Sequence, residues 1–311
     1  MNPQKTTVDW LRFRVKAGPH DVLEALRPMF GGMGARLGLK ALERGILGFE
    51  QASTVTIGDM VIGRVDHGGA SQRGWARIDI SGKGCEFVQD WPAVEVVEAL
   101  PASEIRRLDV ALTTWKGEVG HDRVVRSHQA GRFITRGRPP ALQQITSSDP
   151  RAGRTCYIGK REQSDKFVRC YEKGFELAAK LEARGLPGHL TEIDGCRVED
   201  IYRCEVEFKA SSTDIPWDVI GRRDQYFAGS YPFCADILPG VEADILQRRP
   251  EREIRVDLAV ALENCRVQFG PTIYTALMAY GGDMTAVWEK IVGVNHCQRL
   301  LEAGVLLVDH E

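Results

Sequence analysis

Three carboxylates and a tyrosine-bearing basic hairpin are the residues of this chain whose types and spacing suit chemistry. Glu205 and Glu207 stand two apart in Tyr-Arg-Cys-Glu-Val-Glu-Phe-Lys, and Asp109 stands in Arg-Leu-Asp-Val-Ala. Oxygen donors of this kind suit a hard divalent cation, Mg²⁺ or Mn²⁺, which can polarise a phosphate. The hairpin spans Arg154 to Gly174 and carries Tyr157 and Tyr171. From Arg151 to Gly174 there are seven Lys/Arg against three acids, in a chain whose net charge is −2. A local basic island in a near-neutral protein fits a phosphate backbone. Within it, a tyrosine could attack a phosphodiester and keep the product as a covalent ester.

The side chains that share a face follow from the two-residue period of a strand. In Tyr202–Lys209 one face carries Tyr202, Cys204, Val206 and Phe208, and the other Arg203, Glu205, Glu207 and Lys209. In Arg107–Thr113, Asp109 falls on the face opposite Leu108, Val110 and Leu112. If the two strands are neighbours, Asp109, Glu205 and Glu207 converge as metal ligands. Otherwise the same residues make an ordinary charged ladder on an exposed face. Tyr171 lies between Arg169 and Lys173 on its own face, and flanking cations are expected to lower its phenol pKa and to bind the phosphate it attacks. Tyr202 falls on the apolar side, where packing is its expected work, and Tyr157 in Thr-Cys-Tyr-Ile-Gly can pack too.

The elements that must position these groups are also readable. Strands are expected at Val8–Lys16, within Ile46–Arg64, at Glu104–Trp115 and at Ile201–Ala210. Gly74–Gln89 reads as a hairpin turning near Gly82–Gly84. Helices are expected at His20–Phe30, Trp91–Leu100, His121–Ala130 and Phe175–Arg184, and Gly131–Gly153 reads as a long loop. After Ser211 the texture changes: Arg255–Glu263 could be strand or helix, and Pro271–Leu306 has helical spacing. A boundary near residue 215 would divide a domain of residues 1–215 from a C-terminal region, 216–311.

Composition is that of an ordinary globular protein, 43% hydrophobic and 27% charged. The expected setting is the cytoplasm, with no membrane partner: no apolar run suits a spanning helix, and the start has no signal-like apolar core. The eight cysteines form no CxxC pair and read as reduced packing thiols. There is no phosphate-cradling glycine loop, no GxSxG and no HExxH.

Val8-Asp-Trp-Leu-Arg-Phe, Arg107-Leu-Asp-Val-Ala, the hairpin from Gly153 to Gly174 and Tyr202-Arg-Cys-Glu-Val-Glu-Phe together resemble the replication initiation factor family, the Rep_trans type of rolling-circle plasmids and filamentous phages. The resemblance implies an α+β fold, an antiparallel sheet with flanking helices related to the HUH nucleases, followed by a mostly helical C-terminal region. It implies an endonuclease-ligase that nicks one strand at an origin through a 5′-phosphotyrosine intermediate, with a divalent metal. The histidine pair of HUH nucleases is missing, and Glu205 and Glu207 are read as its substitutes. The nucleophile is carried over to Tyr171, with Tyr202 and then Tyr157 in reserve. Arg203 and Lys173 would stabilise transition-state charge, and Arg154, Lys160, Arg161, Lys166 and Arg169 would dock single-stranded or cruciform origin DNA. The C-terminal third would serve origin recognition, dimerisation or contact with a host helicase. Two rivals remain: a non-catalytic DNA-binding regulator, and a nuclease using metal-activated water.

Overall fold

Alternating strands, each apolar on one side, build a single wide sheet. The computed structural model describes residues 4–135, 137–162, 164–186, 188–211, 213–246 and 258–302. Its strands are β1 (Thr7–Val15), β2 (Leu37–Leu42), β3 (Gln51–Ile57), β4 (Met60–His67), β5 (Ala76–Ile80), β6 (Glu104–Thr114), β7 (Leu142–Ile145), β8 (Thr155–Ile158), β9 (Lys166–Tyr171), β10 (Glu192–Ile193), β11 (Cys196–Arg197) and β12 (Tyr202–Lys209). Ten of them form one sheet in the order β2-β3-β4-β5-β1-β6-β12-β9-β8-β7, and β10 and β11 pair separately. Every pairing between these strands is antiparallel.

One face of this sheet is the core. Leu11 and Phe13 of β1, Leu108 and Val110 of β6, Val206 and Phe208 of β12 and Val168 of β9 are all buried in one apolar cluster. Helices and turns cover them. Helix Pro19–Leu26 adds Val22, Leu23 and Leu26, and the 3-10 segment after it adds Met29 and Phe30. Helix His121–Gln129 adds Val124. The segment after β12 contributes Trp217, Val219, Ile220, Tyr226, Phe227, Tyr231 and Phe233 to the same cluster. One compact unit therefore runs from Met1 to Arg249, and residues 250–311 make a second. In the second, helices Leu258–Ala279 and Met284–Ile291 are described, with Phe269, Tyr274, Met278 and Trp288 exposed. Part of the segment expected as strand or helix at Arg255–Glu263 lies outside the described residues; from Leu258 it is helical. Among the described residues no helix is long and apolar enough to cross a membrane.

Two expectations need correction. Gly74–Gln89 is not a hairpin: β5 ends at Ile80, and Ser81 caps a short helix, Gly82–Cys85, by accepting a hydrogen bond from the Gly84 N–H at 3.3 Å. The loop expected at Gly131–Gly153 contains β7, an exposed edge strand paired with β8.

Candidate DNA-processing site

β6 and β12 are direct neighbours, so the condition for convergence is met. Glu207 lies opposite Asp109, and Glu205 opposite Ala111. On the other side of β12, Glu205 faces Arg169, and Arg203 faces Tyr171. The small side chain of Ala111 leaves room beside Glu205. Asp109, Glu205 and Glu207, with Arg161, Phe167 and Arg169, line a cavity of about 20 Å³, room for a water or a bare ion.

Each carboxylate is buried, and each is matched by arginine. Arg107 donates to Asp109 through Nε at 2.8 Å and also approaches Glu207 at 3.2 Å. Arg161 donates to Glu207 at 2.9 Å, and Arg169 to Glu205 Oε2 through Nε at 2.9 Å. Burial pushes the Asp109 pKa up to about 6; Arg107 opposes the rise, and Glu207 and Glu205 add to it. Buried oxygen donors crowded on one sheet face suit a cation in chemical type. Their present arrangement is one in which guanidinium groups do the neutralising: among the described residues no three His, Cys, Asp or Glu are gathered closely enough to hold a metal ion.

Tyr171 closes the strand that leads into helix Lys173–Glu182. Its hydroxyl donates to Glu205 Oε1 at 2.8 Å, and Lys173 Nζ lies 3.4 Å from the Tyr171 hydroxyl. The Arg169 guanidinium is 5.0 Å from the ring centre. The expected lowering of the phenol pKa is not what the surroundings produce. Burial raises it strongly, and the Glu205 carboxylate raises it further, against Arg203. Burial also lowers the Lys173 pKa, helped by Arg203. Lys173 is placed by its neighbour Gly174, whose missing side chain admits the Val198 carbonyl; a Cβ there would collide with that oxygen.

Not every sequence candidate joins this cluster. Tyr202 is 1% exposed on the opposite, core face of β12, and its hydroxyl has no hydrogen-bond partner among the described residues. Tyr157 lies on the same face as the cluster, opposite Arg169, but its ring packs on Phe167 of the cavity wall, ring centres 5.4 Å apart. Lys166 also belongs to the other face, donating to the Ser230 carbonyl at 2.7 Å. Arg154 is held between Glu172 and Asp122, and Lys160 is exposed near the turn of the hairpin.

Two residues of the cluster escape the sequence reading. Asp9 sits where a bulge interrupts the pairing of β1 with β6 between Val8 and Trp10, and it accepts from Arg203 Nη1 at 2.9 Å. Bulges re-aim side chains, and none is visible in alternation alone. Arg107 is two residues from Asp109 on the same strand face, a spacing that could have revealed it.

Residues 103–252 match the replication initiation factor family. That span holds Asp109, Arg169, Tyr171, Lys173, Arg203, Glu205 and Glu207, and it bears out the resemblance read from the sequence. Among solved structures, a rolling circle replication initiator protein from Geobacillus stearothermophilus is similar, with a TM-score of 0.52 at 20% identity, covering 78% of this chain and 99% of that one. The likeness is one of fold, and it bears out the expected class: an antiparallel sheet with flanking helices and helices toward the C-terminus. No curated protein matches this chain.

Proposed function

We propose that this protein initiates rolling-circle replication by nicking one strand of an origin with Tyr171 and later rejoining it. The observation that carries the reading is the contact between the Tyr171 hydroxyl and Glu205, in a cluster with Arg169, Lys173 and Arg203 and beside the carboxylate-lined cavity.

A buried phenol that resists ionisation needs a base at the moment of attack, and Glu205 Oε1 is within hydrogen-bond reach. In the proposed step the Tyr171 Oη–phosphorus bond forms as Glu205 takes the phenolic proton. The bond from phosphorus to the 3′ oxygen breaks, that oxygen gains a proton, and the 5′ phosphate stays on the tyrosine. Arg169, Lys173 and Arg203 stabilise the added negative charge. Asp109, Glu205 and Glu207 would hold Mg²⁺ or Mn²⁺ only once Arg107, Arg161 and Arg169 release them and the three draw together, and the metal would then supply polarisation of the scissile phosphate. The ester keeps the energy of the broken bond, so the reverse reaction joins ends. Arg154, Lys160 and Arg161 would meet the origin DNA, single-stranded or extruded as a cruciform. The exposed apolar side chains of helices Leu258–Ala279 and Met284–Ile291 support a contact role for the C-terminal unit, with a second copy or a host helicase.

The test is incubation with Mn²⁺ and a supercoiled plasmid bearing the origin of the protein's own element, followed by a denaturing gel. A protein–DNA adduct that is absent in Tyr171→Phe supports the reading. Nicking without an adduct would show hydrolysis by water. One observation favours the second reading, a DNA-binding regulator: all three carboxylates are already neutralised by arginines. That reading predicts binding without nicking in any metal.

A further inference from the structure

A second concavity opens on the same face of the sheet, beyond the carboxylates. It encloses about 390 Å³, within the roughly 300–1,000 Å³ usual for a bound small molecule. Arg12 and Arg14 of β1, Arg77 of β5, Arg107 of β6 and Lys209 of β12 all line it, and among the described residues Glu207 is the one acid on its lining. The acids that pair with these arginines, Asp66, Asp79, Glu104 and Asp109, are not part of the lining. Trp75 and Phe49 add aromatic surface.

The groove is built rather than incidental. Trp75 is presented by two successive left-handed residues, Arg73 at φ +50° and Gly74 at φ +79°, and its N–H bonds back to the Gln72 carbonyl at 3.0 Å. Arg14 lies over its ring at 4.1 Å and Lys16 at 5.4 Å. Arg77 is largely buried between Asp66 and Asp79, yet its Nε has no partner among the described residues. Burial lowers the Arg77 pKa, and Arg12 beside it lowers it further, against Asp79 and Asp66. Each of these cations is paired with an acid, yet all but one of those acids lie off the lining, so the groove presents mostly guanidinium and ammonium groups next to a flat aromatic surface.

We propose that this groove seats an unpaired nucleotide of the DNA strand that flanks the scissile phosphate, its base against Trp75 and its phosphates on the arginines of β1, β5 and β6. Glu207 lines both this groove and the small cavity beside Glu205, so the two adjoin on the sheet face. The strand order β9-β12-β6-β1-β5 separates Tyr171 from Arg77 by four strand spacings, about 19 Å across the sheet. The register adds an offset along the strands: Tyr171 is level with Thr113 and Arg77 with Glu104, nine residues or roughly 30 Å apart on β6. A strand crossing the sheet would thus be gripped at a distance from the bond that breaks. Aromatic stacking needs an unpaired base, which selects single strands over duplex, and stacking between cations is tolerant of sequence. The inference rests on the proposed function only for which DNA is bound; the binding itself needs no cleavage.

The test is fluorescence anisotropy of a labelled single-stranded 12-mer with the full chain in EDTA, which separates binding from nicking. Trp75→Ala is expected to weaken binding roughly tenfold or more, and Trp75→Phe to restore most of it. Arg14→Gln is expected to weaken binding and to lower the salt slope by about one. Blunt duplex of the same sequence should bind more weakly and indifferently to Trp75→Ala, and poly-glutamate should not displace the oligonucleotide. Thermal unfolding confirms that each variant is folded. The proposal is overturned if folded Trp75→Ala and Arg14→Gln bind like the wild type, or if poly-glutamate competes in a Trp75-dependent way, which would make the groove an acidic-peptide site. Trp75-dependent binding without any adduct would sink the nickase reading and leave this one standing. Normal adducts with no Trp75 effect would do the reverse.

Discussion

The charged face of the sheet divides into two halves that solve the same electrostatic problem differently. In the half built from β6, β12 and β9, acids sit inside and arginines close over them: Asp109, Glu205 and Glu207 are buried, while Arg161 and Arg169 stay about half exposed. In the half built from β4, β5 and β1, the arginines line the open groove, and Asp66 and Asp79 are buried among them. The first half has a phenol hydroxyl within hydrogen-bond reach of a carboxylate, Tyr171 and Glu205. The second has aromatic rings among cations. A buried carboxylate surrounded by removable cations can exchange partners as substrate arrives, whereas a lining of arginines can only hold an anion. In the proposed reading the sheet thus separates a place for reaction from a place for grip.

Tyr171→Phe is expected to break the reactive half outright, abolishing adducts while leaving single-strand affinity within about twofold. Glu205→Gln should come next. It keeps the shape but cannot take a proton, so nicking should fall on the order of 10²–10⁴-fold with binding retained, as quantified by single-turnover assays. If Glu205→Gln loses binding and rate together, Glu205 is a structural partner of Arg169, and the division fails.

Asp109 sharpens the comparison through pH. Its pKa of about 6 without metal predicts Mn²⁺ affinity that rises as pH climbs through that value, and Asp109→Asn should flatten that dependence, as read by metal titration. The sign for stability is opposite. A carboxyl whose folded pKa is raised stabilises the fold fully only below its unfolded value of about 4, and that contribution is lost as pH rises through about 6. Urea titrations at pH 5 and pH 8, with Asp109→Asn as the reference, read that difference. The smallest effect belongs to Tyr202→Phe. Its hydroxyl is buried and without a partner among the described residues, so removing it should leave nicking unchanged and stability equal or slightly higher. Loss of activity there would return Tyr202 to the site.

Much of this is legible from two-residue alternation. The faces of β6 and β12, the hairpin of β8 and β9, and the separation of Tyr202 from Glu205 all follow from it. The adjacency of β6 and β12 does not, because the register that sets Glu207 opposite Asp109 is a tertiary property. β7 escapes because four largely exposed residues carry too little apolar pattern to announce a strand. The direction of the Tyr171 pKa is hidden for a related reason. Sequence shows the cations along the strand, Arg169 and Lys173, but not the carboxylate across it or the burial. Asp9 and Arg203 are 194 residues apart and meet only because a bulge turns one toward the other.

The most direct test of the central claim is to identify the residue that carries the DNA. The adduct formed with Mn²⁺ would be trimmed with nuclease, digested with protease and read by mass spectrometry. A nucleotide on the peptide containing Tyr171 is the predicted result. A nucleotide on Tyr157 or Tyr202, or nicked DNA with no modified peptide, would contradict it.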